Sequence, residues 1–140
     1  VILYLDTSSL VKLFIDEEHS RIVHKWVQDA EIVATSRVAL TEMMSALARR
    51  HHQGDLDGDD LKIVIAAFKE QWAQIAVVDL DETRAGELAI NHRLRGFDAI
   101  HLEAALTVRD GDLTTEIVFS AFDKRLNKAA LHEQLKVLTV

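Results

Sequence analysis

The chain has 140 residues, 49% of them hydrophobic and 28% charged, with 23 acids against 16 lysines and arginines and a net charge of −7. That is the size of one ordinary domain, expected to span residues 1–140, with enough chain for one sizeable core. The balance runs against a generic nucleic-acid binder, which would be basic, but not against an enzyme whose acids collect at one cation site.

In chain order, Ile2 to Leu5 is a short apolar run that ends at Asp6. It has no basic segment ahead of it and no cleavage site behind it, so it reads as a strand and not as a signal peptide. Ser8 to Ile15 reads as a short helix, and His19 to Asp29 as a second with Ile22, Val23, Trp26 and Val27 on one face. Ile32 to Ala34 reads as a strand, and Ser36 as the N-cap of a helix running to His52 and stopped by Gly54. Asp57 to Gln74 is helical in pattern and Ile75 to Val78 extended; Asp81 caps a helix reaching about Leu94, stopped by Gly96. Asp98 to Arg109 reads as a helix, Ile117 to Phe119 as a strand, Asp123 to Leu131 as a helix and Leu135 to Leu138 as a last strand. Strands separated by helices need crossover connections, which predicts an α/β three-layer α/β/α sandwich on a parallel sheet of four or five strands. No apolar run approaches the roughly 20 residues of a membrane span, so no membrane association is expected. Absence of cysteine removes disulfides and thiolate chemistry and points to an intracellular, cytoplasmic protein.

Most of the acids sit in turns and helix starts where solvated acids belong, but four stand apart. Asp6 ends the first strand, and in open parallel sheets ligands bind outside the carboxyl ends of strands. Asp123 follows the strand IVF in the same way, and Asp98 opens the apolar helix that contains Ile100, Leu102 and Leu106. Each of these aspartates reads equally well as a helix N-cap. Glu42 has Val38, Ala39, Ser45 and Ala46 as its helical neighbours, and a carboxylate in so small and apolar a stripe needs a partner or a cation. Its bland reading is an edge position paired to Arg49. Taken together, four carboxylates at one end of a sheet would repel one another, which cations or protons would relieve. Oxygen ligands favour Mg²⁺ or Mn²⁺, and such sites activate water for phosphoryl displacement.

The segments LDTSSLVKLF, TEMMSAL, LRGFDAIHLEAAL and VFSAFDKRLNKAA, in that order, resemble the four acidic motifs of PIN-domain nucleases, most closely VapC-type toxins of VapBC toxin–antitoxin systems. The resemblance covers essentially the whole chain. It implies Asp6, Glu42, Asp98 and Asp123 as the catalytic, metal-binding set, with Mg²⁺ or Mn²⁺ as cofactor and Ser8 as a polar support for Asp6. It implies a metal-dependent endoribonuclease acting on RNA through metal-bound water and leaving a 5′-phosphate. It further implies a homodimer held inactive by a cognate antitoxin. The family often carries Ser or Thr two residues before its last Asp; here that position is Ala121, with Ser120 one residue earlier.

Two histidine features are read as structural. His101, at i+3 from Asp98, is assigned to packing or a polar contact and not to a metal; His51 and His52 are assigned to a solvated helix end. Lys12, Arg95, Lys124 and Arg125 lie near the acids and are candidates to position phosphates. The exposed apolar faces of the early helices, with Val11, Phe14, Val23 and Trp26, are candidate partner surfaces or else core. A haloacid-dehalogenase-type phosphatase would need an acid at Ser8, and a response-regulator receiver a lysine at the end of the last strand, where Lys136 instead begins it. The alternatives kept are an RNA-processing PIN nuclease with no antitoxin and a non-enzymatic α/β interaction module.

Overall fold

A computed structural model describes all residues, 1–140. Strand β1 (Ile2–Leu5) is followed by a short helix α1 (Thr7–Leu10) that tightens into a 3-10 turn over Val11–Leu13. Then come α2 (Ser20–Asp29), β2 (Ile32–Ser36), α3 (Ala39–His52), α4 (Gly58–Trp72), β3 (Ala76–Val78), α5 (Glu82–His92), α6 (Gly96–Gly111), β4 (Ile117–Ser120), α7 (Lys124–His132) and β5 (Lys136–Val137). The five strands form one sheet in the order β3-β2-β1-β4-β5, and every pairing is parallel. This is the expected three-layer architecture.

β1 is the central strand, and all four of its residues are buried. Alternation sends its side chains to opposite faces. Ile2 and Tyr4 join Phe119, Leu88, Leu102, Leu106 and Leu126 from β4, α5, α6 and α7. Leu3 and Leu5 join Leu10, Val23, Met43, Leu47 and Phe68 from α1 to α4. A strand covered on both sides must be apolar throughout, which is why ILYL shows no polar alternation. From β1 the chain runs outward through β2 and β3, then returns to place β4 on the other side of β1. The order therefore reverses between β1 and β4, and a crevice opens at their carboxyl ends.

Several boundaries differ from the sequence reading. The first helix is split into two short pieces rather than running evenly from Ser8 to Ile15. β2 extends to Ser36, so α3 begins only at Ala39, although the Ser36 hydroxyl still accepts from the Val38 amide at 3.3 Å. α5 is closed by Arg93 in the left-handed conformation (φ 54) and not by Gly96, which lies inside α6. Arg95 is the N-cap residue of α6, so Asp98 sits in its first turn and caps nothing. Gly54 does end α3, with φ 88, a conformation that costs glycine little. Val23 is wholly buried, and Val11, Phe14 and Trp26 are half-buried against the same core. Those four side chains are therefore spent on packing α1 and α2 to the sheet. The exposed apolar side chains are others, among them Ile63, Ile90, Phe97 and Leu131. No helix is long and apolar enough to cross a membrane.

Candidate active site

Asp6, Glu42, Asp98 and Asp123 line a single cavity of about 580 Å³ at the crevice between β1 and β4. Four separate segments supply them. Asp6 continues β1 and caps α1; its Oδ1 accepts from the Ser9 amide at 3.0 Å and from the Ser8 hydroxyl at 2.7 Å. Ser8 Oγ in turn accepts from the Phe122 amide at 2.9 Å, which ties the loop after β1 to the loop after β4. Asp123 caps α7, accepting from the Leu126 amide at 2.9 Å. Glu42 lies in the first turn of α3 and Asp98 in the first turn of α6.

Glu42 is not paired to Arg49, whose guanidinium donates instead to Ser45. Its Oε1 accepts from Thr7 Oγ1 at 2.7 Å and lies 2.7 Å from His101 Nε2. His101 is buried, and its Nδ1 lies 2.8 Å from the Tyr4 hydroxyl. One assignment satisfies all three groups: Tyr4 donates to Nδ1, and Nε2–H donates to the carboxylate. Burial, with the charge of Asp6 adding to it, pushes the Tyr4 hydroxyl well above its usual range and so keeps that donor protonated. Burial also pushes the Glu42 carboxyl up, but the hydrogen bonds from His101 and Thr7 and the charge of Arg95 outweigh it. Glu42 therefore lies below the ordinary carboxyl value. Asp6 goes the other way: burial dominates, the charge of Asp98 adds to it, and the bonds from Ser8 and the Ser9 amide only partly offset them.

Three arginines line the cleft: Arg49 donates to Ser45, Arg50 is paired to Glu17, and Arg95 is the one bonded to any of the four acids. Its Nε donates to Asp98 Oδ2 at 3.0 Å and its Nη2 to Asp123 Oδ2 at 3.3 Å. The side chain is otherwise largely exposed, and these acids raise its pKa further. No protein donor reaches Asp6 Oδ2, Glu42 Oε2 or Asp98 Oδ1. A set of unpaired carboxylate oxygens facing one cavity fits a hard divalent cation. In the present arrangement no three acids or histidines form a ready-made set of ligands for one ion, and Arg95 bridges two of the four.

The remaining candidates separate cleanly. Lys12 is paired to Glu17 at 2.9 Å and lies over the Phe122 ring, so it is not a free phosphate contact. Lys124 and Arg125 are exposed and unpaired. Ala121 is buried and offers no hydroxyl, while Ser120 turns inward to Ser9 Oγ at 2.8 Å. His101 makes polar contacts, as read from the sequence. What that reading missed is their target: His101, Thr7 and Tyr4 together hold Glu42. Thr7 stands between Asp6 and Ser8 in the first motif, where its adjacency to two singled-out residues was the available signal. Tyr4 carried none, because it reads as one more apolar strand residue.

Residues 3–131 match the family model described as PIN domain. The chain is 34% identical over 132 residues to Ribonuclease VapC45 of Mycobacterium tuberculosis, covering 92% of this chain and 89% of the relative. Among solved structures, FitAcB from Neisseria gonorrhoeae superposes with a TM-score of 0.66 at 15% identity, over 98% of this chain and 96% of that one. VapBC2 from Rickettsia felis, bound to a DNA fragment from its promoter, gives 0.66 at 11% identity, over 99% and 98%. At those identities the structures speak for the fold alone. The family model and the mycobacterial ribonuclease speak for descent, and on their strength the chain belongs to the PIN-domain family.

Proposed function

We propose that the chain is an endoribonuclease that hydrolyses RNA phosphodiesters with Mg²⁺ or Mn²⁺, and that it is the toxin of a toxin–antitoxin pair. The observation that carries this is the convergence of Asp6, Glu42, Asp98 and Asp123 on one cavity in a chain 34% identical to a VapC ribonuclease. These four residues would hold the cation. Bound there, a divalent ion supplies a Lewis acid for phosphoryl oxygens and for water.

The chain's own groups prepare that site. Ser8 and the Ser9 amide fix one oxygen of Asp6 and leave the other free. His101 and Thr7 fix Glu42 in its ionised form. Arg95 cancels part of the charge between Asp98 and Asp123, and its exposed side chain can yield those carboxylates to a cation or turn to a substrate phosphate. The proposal includes a short antitoxin partner covering the acidic cleft, a homodimer and a cytoplasmic location, as the VapC-type resemblance implies.

The test is cleavage of single-stranded RNA by protein freed of contaminating nucleases, with Mg²⁺ and with EDTA, beside Asp6→Asn. Cleavage that survives EDTA, or survives in Asp6→Asn, overturns the mechanism. Growth arrest on expression, relieved by a neighbouring gene product, tests the toxin assignment. Light scattering tests the dimer.

A further inference from the structure

Cations are unevenly spread on this acidic chain. Half of its 16 lysines and arginines are held in ion pairs. Of the eight that are not, Arg21, Lys62 and Lys69 are scattered over α2 and α4, and Arg49 on α3 lines the acidic cleft itself, donating to Ser45. The other four, Arg93, Lys124, Arg125 and Lys128, converge on one concavity of about 510 Å³ between the α5–α6 turn and α7. His92 and His132 also line it, and no acid does.

Nothing in the fold explains this gathering. Like charges in one pocket repel, and Lys124 and Arg125 are the first two residues of α7, where the helix's own partial positive charge disfavours cations. The only polar contact the four make within the pocket is from the Arg125 guanidinium to the Arg93 carbonyl, at 3.4 Å. Such a cluster is relieved by a polyanion.

Its position says which polyanion. Lys124 directly follows Asp123, and Arg93 stands two residues from Arg95, at most about 7 Å of extended chain. The basic pocket and the acidic cleft are thus built from neighbouring residues of the same pair of segments. We propose that this pocket holds backbone phosphates of the RNA strand adjacent to the one presented to the four carboxylates. The inference rests on the ribonuclease reading above. No phenylalanine, tyrosine or tryptophan lines the pocket, and contacts to phosphates fix register, not sequence.

The experiment is anisotropy of a labelled single-stranded RNA with the wild-type chain in EDTA, over a series of KCl concentrations. Each cation that neutralises a phosphate on a single strand contributes about 0.7 to the slope of log affinity against log salt, so Arg125→Ala/Lys128→Ala should lower it by about 1.4. With Mg²⁺, the same variant should raise KM while kcat stays within about twofold. Lys62→Ala/Lys69→Ala, an equal charge change on α4, should leave the slope unaltered. An unchanged slope in the pocket variant, or an equal fall in the α4 variant, overturns the pocket while RNA cleavage stands. Wild-type protein that neither binds nor cleaves RNA overturns the ribonuclease reading and the pocket with it. Inorganic phosphate at matched ionic strength should displace no more RNA than chloride does. Displacement by phosphate that disappears in the pocket variant would reassign the pocket to a free anion and overturn the proposal.

Discussion

Asp6→Asn should abolish cleavage and yet make the metal-free protein more resistant to heat. Asp6 is 4% exposed, and burial, with Asp98 nearby, holds its carboxyl above the ordinary 3.8. An acid whose folded pKa is raised keeps its proton more tightly when folded. Its stabilising contribution is fully present below about pH 3.8 and is lost as pH rises through the elevated value, so at neutral pH ionised Asp6 is a net cost. Asn keeps the shape and the Oδ1 that accepts from Ser8 and Ser9, and as an N-cap it is nearly equivalent to Asp. Relief of an incompletely paired buried charge is worth about 1–3 kcal/mol, and about 4 °C in melting temperature per kcal/mol for a chain of this length. Asp98→Asn should gain far less, because Arg95 already neutralises Asp98 at 3.0 Å on the cleft rim. Mg²⁺ at a hundredfold excess over its dissociation constant should add about 2.7 kcal/mol to the wild type and less to either variant. The assay is a melting series of the three proteins in EDTA and in Mg²⁺, near pH 7 and near pH 5. A wild type that gains nothing at the lower pH, an Asp6→Asn that melts at or below it in EDTA, and equal Mg²⁺ shifts for all three would refute the reasoning.

Arg95→Ala removes a positive charge from among the acids and should tighten Mg²⁺ binding about two- to fivefold, read by titration calorimetry; weaker binding would mean that Arg95 helps to build the site. His101→Ala strands the buried Tyr4 hydroxyl and leaves a cavity, and should cost about 2–4 kcal/mol in urea unfolding. A loss under about 0.5 kcal/mol would show the Tyr4–His101–Glu42 chain to be dispensable to the fold. The Asp112 carboxyl is lowered to about 2 by the Thr114 and Thr115 hydroxyls and the Thr114 amide. Its stabilising effect should be present above the ordinary value and be lost as pH falls through about 2, which an NMR titration would register; a midpoint near 3.8 would refute that turn.

The sheet was legible because β1 and β4 are covered on both faces and so read as unbroken apolar runs. The four acids were legible because each breaks an apolar pattern. Helix ends were less so. Gly96 looks like the stop of α5, yet Arg93 takes the left-handed conformation that ends it, and the following turn lets α6 start at Gly96. That shift of two residues moves Asp98 from cap to first turn. Partners across the chain were not legible at all. Glu42 and His101 are 59 residues apart and Arg95 and Asp123 are 28 apart, and no local spacing encodes such pairs. Glu103 is the clearest gap: it lies on the apolar helix α6, fully buried, with Oε1 accepting from Thr107 and Oε2 unpartnered. We have no physical account of it.

From sequence, cap and ligand were rival readings of Asp6 and Asp123; in the fold both cap through one oxygen, which leaves the second out of the cap. Oδ1 of each carboxylate accepts the backbone amide three residues on, at 3.0 Å in Asp6 and 2.9 Å in Asp123. A carboxylate has lone pairs to spare, so that bond fixes the side chain and leaves Oδ2 out of the cap, without a donor in Asp6 and accepting from Arg95 in Asp123. If Asp6 and Asp123 hold the cation as proposed, capping is the device that aims them. Asp57 and Asp81 show that the local signature is not enough. Both cap their helices through Oδ1, at 2.7 Å from the Asp60 amide and 3.0 Å from the Arg84 amide, and both are exposed and outside the lining of the acidic cavity. Asp57 follows no strand, and Asp81 comes three residues after β3, an edge strand. Asp6 and Asp123 follow β1 and β4, the two strands between which the order of the sheet reverses. On that proposal, which capping aspartates become ligands is decided by strand order, a property of the whole chain that no window of sequence contains.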